Sequence, residues 1–85
     1  MKFVGQYLKE IRIKNNLTIE ELCKELKINQ SLIQSIELDD FPEYLEPVYM
    51  MGHIRAYADL FDLDANDLIE TFKIQISYNR LDENK

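Results

Sequence analysis

The chain has 85 residues, 46% of them hydrophobic and 31% charged, with a formal net charge of −6 and a single cysteine. This length suits one domain with a thin core, and the apolar share excludes a charge-dominated disordered polymer. Cys23 alone forms no internal disulfide, no clustered Cys/His spacing offers zinc ligands, and the longest apolar run, Val48 to Met51, is far below the roughly 20 residues of a membrane span.

Val4, Tyr7, Leu8 and Ile11 recur at helical spacing and predict a first helix from about Val4 to Lys14, ended by Asn15-Asn16. Thr18 and Glu21 form a T-x-x-E capping box with Leu17 and Leu22 as a hydrophobic staple, so a second helix starts at Ile19 with Leu22, Cys23 and Leu26 facing inward. Asn29 is a good cap for a third helix with Leu32, Ile33 and Ile36 inside, stopping near Asp39-Asp40. Two short helices joined by three or four residues match a helix-turn-helix. Phe41-Pro42 opens a loop, and Pro47 suits the first position of a fourth helix that runs to about Phe61. Asp64 and Asp67 cap a fifth, whose buried side is Leu68, Ile69, Phe72 and Ile76. No strand pattern competes. The expected fold is all-α: a five-helix domain at 1–76, with the polar stretch 77–85 as a tail or the start of a linker.

Charge is unevenly placed. Residues 31–72 hold ten acidic side chains and one basic, whereas residues 1–30 hold six basic and four acidic. An acidic block of this kind steers toward basic protein patches and is repelled by phosphate backbones.

On the fourth helix, Ile54, Phe61, Ala58 and Met51 share one arc and are assigned to the core. Tyr49, His53, Ala56 and Leu60 cluster on an adjacent arc, with Tyr57 and Met50 at its border. Periodicity leaves two outcomes open: the fifth helix covers this second arc, or it stays free as a docking face. Glu43, Glu46, Asp59 and Asp62 flank the helix and either steer a basic partner or serve solubility. On the third helix, Gln30, Ser31 and Gln34 could read base edges. Yet Ile28 to Leu38 contains no Lys or Arg to hold phosphates, so a solvated polar face is the better reading and nucleic acid is not the expected partner. His53 is the one histidine and makes no catalytic centre by itself. Without a nucleophile–base pair, a phosphate loop or a metal cluster, neither an enzyme nor a cofactor is expected.

Several segments together resemble the cytoplasmic N-terminal domains of the RodZ family of bacterial cell-shape proteins. They are Gly5-Gln6-Tyr7-Leu8-Lys9-Glu10, Leu17-Thr18-Ile19-Glu20-Glu21-Leu22, Ile36-Glu37 with Asp40-Phe41, and above all Pro47-Val48-Tyr49 followed by Gly52-His53-Ile54-Arg55-Ala56-Tyr57-Ala58. The resemblance spans roughly Val4 to Ile74. It implies a helix-turn-helix core of the phage-repressor-like type and a domain that docks on the bacterial actin homologue MreB. It also implies a cytoplasmic location at the inner face of the membrane, with a transmembrane segment elsewhere in the protein linking the actin to cell-wall synthesis. In the family an aromatic pair four residues apart on the fourth helix contacts the actin, and the matching positions are His53 and Tyr57. His53 stands where Phe or Tyr is usual, Met51 where a basic residue often precedes the glycine, and Asp39 where Gly or Asn usually turns the chain. Asp39 suits a left-handed turn better than most residues do. The expected contact set is His53 and Tyr57 with Tyr49, Met50, Leu60 and Glu46; the alternative, a repressor-like regulator, would read DNA through Gln30, Ser31 and Gln34.

Overall fold

Side-chain caps fix where the helices begin. A computed structural model describes residues 3–83, with side chains through Tyr78. Among these residues it shows five helices and no strand: α1 (Val4–Lys14), α2 (Ile19–Leu26), α3 (Gln30–Glu37), α4 (Pro47–Leu60) and α5 (Ala65–Glu83). The Thr18 hydroxyl accepts the Glu21 N–H at 3.1 Å and the Glu21 carboxylate accepts the Thr18 N–H at 3.0 Å, so the capping box is closed in both directions. Asn29 Oδ1 accepts the Leu32 N–H at 2.8 Å, and Asp64 Oδ1 accepts the Asp67 N–H at 3.2 Å. Pro47 occupies the first turn of α4, where its missing N–H leaves no bond unmade.

The capping box makes α2 sensitive to acid. Hydrogen bonds from the Thr18 backbone and side chain hold the Glu21 carboxyl below its usual range. A group lowered on folding contributes stability above its unfolded titration, and that contribution is lost as pH falls through the folded value. Urea unfolding should therefore show Glu21→Ala less stable than the parent at neutral pH, with the gap closing as the carboxyl protonates.

The inward stripes meet in one core. Val4 and Leu8 of α1, Leu22 of α2, Ile33 and Ile36 of α3, Met50, Ile54, Tyr57 and Ala58 of α4, and Leu68, Ile69 and Phe72 of α5 are all buried. Each fully buried side chain of this size contributes about 1.5–3 kcal/mol of transfer free energy, so the five contributing faces together are what make so short a chain fold. Cys23, Leu26, Leu32 and Ile76, expected inside, are half-buried and pack against this core from its edge. Phe41 reaches in from the loop and meets the Phe72 ring edge-on at 5.0 Å.

Among the described residues four are left-handed, none of them glycine, and they make the turns: Asn16, Lys27, Asp39 and Asp62, with φ between 56° and 59°. Three are Asn or Asp, the types that tolerate this region best. Asp39 also accounts for its own presence. Its Oδ1 accepts the Gly5 N–H at 2.7 Å and its Oδ2 the Gln6 N–H at 3.0 Å, so the turn after α3 caps the start of α1. Gln75 of α5 completes the junction. Its amide donates to Asp39 Oδ1 at 2.8 Å, and its carbonyl oxygen accepts the Val4 N–H at 3.1 Å. With the Tyr7 N–H bonded to the Phe3 carbonyl, the first four donors of α1 are all satisfied.

Gly5 is required by this junction. A Cβ there would stand 1.8 Å from the Ile36 carbonyl oxygen and 2.8 Å from Asp39 Oδ1, so only glycine lets α1 sit on the end of α3.

One boundary differs from expectation. Helix α5 runs on through Glu83, whereas the polar residues from Ser77 suggested a tail. No Gly or Pro interrupts 77–83, and loss of an apolar face does not by itself stop a helix already nucleated in the core.

Candidate functional site

Helix α4 has an inner and an outer side, and the division falls differently from the sequence expectation. Ile54 and Ala58 are buried as expected, while Met51 and Phe61 are half-buried at the margin. Met50 and Tyr57, placed at the border and counted among the contact residues, belong to the core at 2% and 0% exposure. Neither offers a side chain to a partner, and the expected contact role is corrected for both. Tyr57 faces inward because its hydroxyl reaches Leu8 of α1 and Glu37 of α3, while α5 packs along the same helix.

Tyr57 is held by a buried polar network that the sequence reading missed. Its hydroxyl donates to Glu37 Oε2 at 2.7 Å and lies 3.1 Å from the Leu8 carbonyl oxygen. Glu37 in turn accepts two bonds from Arg12, Nε to Oε2 at 2.7 Å and Nη2 to Oε1 at 2.9 Å. Arg12 Nη1 also donates to the Leu17 carbonyl at 2.9 Å and braces the α1–α2 turn. Burial first, and then the bond to Glu37, push the Tyr57 hydroxyl far above its usual titration; the bond to Glu37 likewise raises Arg12 against the opposing effect of burial. The network is a forked ion pair with a neutral phenol attached, and it joins α1, α3 and α4. Spacing could have revealed it. Arg12 lies four residues after Leu8, Glu37 four after Ile33, and Tyr57 three after Ile54, so each continues an inward stripe.

The remaining expected contacts are at the surface. Tyr49 is 61% and Leu60 38% exposed, Glu46 is exposed, and His53 and Ala56 are half-buried between them. These residues recur at three and four positions along one side of α4, so helix α5 leaves the second arc open. Gly52 lies beside them. A Cβ added there would meet nothing within 4 Å, and its backbone is ordinary helix, so nothing inside the domain requires a glycine.

On α3, Gln30, Ser31 and Gln34 are all exposed and share one face of the helix-turn-helix. Its single buried charge, Glu37, points inward to Arg12. Among the described residues no group of three or more His, Cys, Asp or Glu could hold a metal ion, and no helix is long and apolar enough to cross a membrane.

Comparison with known proteins agrees with this architecture. The cytoskeleton protein RodZ of Streptococcus pneumoniae is 28% identical over 83 residues, covering 95% of this chain and 30% of that protein. An uncharacterized protein of Haemophilus influenzae is 27% identical over 60 residues, covering 69% of this chain and 20% of its own length. The chain thus spans less than a third of the length of these curated relatives. No solved structure matches it. A helix-turn-helix domain family profile matches residues 7–68, from the middle of α1 to the first turn of α5, and by that match the chain belongs to the helix-turn-helix domain family.

Proposed function

We propose that this chain is a binding module of a RodZ-like cytoskeletal protein and that it docks on the bacterial actin homologue MreB through the outer side of α4. In this reading it links the actin, through a membrane segment outside these residues, to cell-wall synthesis. The observation that carries the reading is the open strip of Tyr49, Gly52, His53, Ala56 and Leu60. A glycine in mid-helix costs about 1 kcal/mol relative to alanine, and here no internal packing offsets it. A flat, accessible patch bordered by an aromatic ring is what close approach of a partner backbone requires. The similarity to a protein named for the cytoskeleton supports the same choice.

The experiment is a titration of the domain against polymerised MreB with nucleotide present. Tyr49→Ala and Gly52→Ala should each weaken binding by about tenfold. Gly52→Ala is the sharper test, because it should raise stability while lowering affinity. Parent-like affinity in both variants would remove α4 from the interface. A repressor-like role predicts instead that Gln30→Ala and Gln34→Ala abolish selection of a DNA sequence at low salt. The polar face of α3 has no cation from Ile28 to Leu38 with which to hold the backbone.

A further inference from the structure

The stretch from Ile28 to Ile54 contains no Lys or Arg but five carboxylates, Glu37, Asp39, Asp40, Glu43 and Glu46. Two of these serve the fold, Glu37 in the ion pair and Asp39 at the start of α1. The other three are exposed and surround the loop between α3 and α4. That loop is held on both sides of its tip. Phe41 is anchored edge-on against Phe72, Leu45 packs against the core, and the Leu45 N–H donates to the Pro42 carbonyl at 3.2 Å. Between the anchors Tyr44 stands 86% exposed, and Val48 and Tyr49, each 61% exposed, follow in the first turn of α4. Three large apolar side chains in six residues of chain face water, although the loop that carries two anchoring residues could have turned one of them inward.

We propose that Tyr44, Val48 and Tyr49, rimmed by Asp40, Glu43 and Glu46, form a docking surface for an extended arginine-containing segment of a partner protein. Charge selects the occupant. Three exposed carboxylates in a stretch of chain that carries no Lys or Arg attract a basic chain and repel phosphate. Aromatic rings select within the basic class: a guanidinium stacks flat on a tyrosine ring and forks onto a carboxylate, whereas an ammonium is a strongly hydrated point charge. The anchored loop limits the ordering cost of binding. The surface shares Tyr49 with the docking face of α4, but it rests on loop residues which that reading does not use, and it stands or falls separately.

The test is a calorimetric titration of the 85-residue chain with octa-arginine and with octa-lysine. Octa-arginine should bind several-fold tighter than octa-lysine. Tyr44→Ala, whose side chain is outside the core, should weaken octa-arginine at least tenfold while circular dichroism and melting stay unchanged. Glu43→Gln should weaken it severalfold. Asp59→Asn combined with Glu70→Gln, acidic sites distant in sequence from the loop, should change it less than twofold, and Gly52→Ala should leave it unaltered even where MreB binding is lost. Absence of octa-arginine binding, equal affinity for the two peptides, or equal losses in Tyr44→Ala and the Asp59/Glu70 pair would overturn the proposal, the last by showing that only diffuse charge is at work.

Discussion

Glu37→Ala should destabilise the domain by about 3–5 kcal/mol, because it leaves the Arg12 guanidinium buried without its counter-charge. At 8% exposure Arg12 has little water to turn to, and both Nε and Nη2 lose their acceptor at once. A domain of this length has a total stability of roughly 4–13 kcal/mol, so the variant loses about a quarter of it or more, and urea unfolding should show a clearly lowered midpoint. Tyr57→Phe separates the phenol from the pair. It removes one donor to Glu37 but leaves the Arg12 fork intact, so a loss of about 1–2 kcal/mol is expected. The hydroxyl is raised on folding, so what it contributes is complete below the ordinary tyrosine titration and is lost as pH climbs above it. A parent-like midpoint for Glu37→Ala would mean that water reaches Arg12. The network also governs how binding experiments are read: Tyr57→Ala empties the middle of the core, and a loss of partner binding in that variant would report unfolding.

Gly5→Ala is the second large effect, at about 2–5 kcal/mol from overpacking and a lost helix cap together. The added methyl would meet the Ile36 carbonyl, which belongs to helix backbone and does not rotate away as a flexible side chain would. Relief requires α1 to lift from α3, and lifting breaks the Asp39 bonds to Gly5 and Gln6. The same substitution at Gly52 meets open space and should stabilise by up to about 1 kcal/mol. Thermal melting of the two variants side by side gives opposite signs, and a destabilised Gly52→Ala would show that the outer side of α4 is covered.

The helix starts were legible because their signals are local. Thr18 with Glu21, Asn29, Pro47 and Asp64 each act within three residues of chain, and each does in the structure what its type predicts. The left-handed turn at Asp39 was expected from the family resemblance, and the Asp side chain suits it. The edge of a buried arc was not. Periodicity locates the middle of a helix face, whereas the fate of Met50 and Tyr57 depends on where α1, α3 and α5 stand, which is set by contacts 20 to 49 residues apart, such as Tyr57 with Glu37 and Leu8. The ion pair escaped notice because charged residues are discounted as core, although Arg12 and Glu37 occupy inward positions. At the far end of α5, polar composition suggested a tail or the start of a linker, whereas the helix continues through Glu83. For the candidate site, the outer strip of α4 was visible as a surplus of apolar residues, but its openness depended on the placement of α5.

Gln75 gives α5 a mechanical role. The helix is about 28 Å long at 1.5 Å per residue, and it is gripped at two heights, by Phe72 in the core and by the Gln75 amide between Asp39 and Val4. Two grips nearly one turn apart fix rotation about the helix axis as well as tilt. The length beyond Gln75 therefore leaves the domain in a direction set at the start of α1 and the turn after α3, while Phe72 holds the same helix against the Phe41 loop.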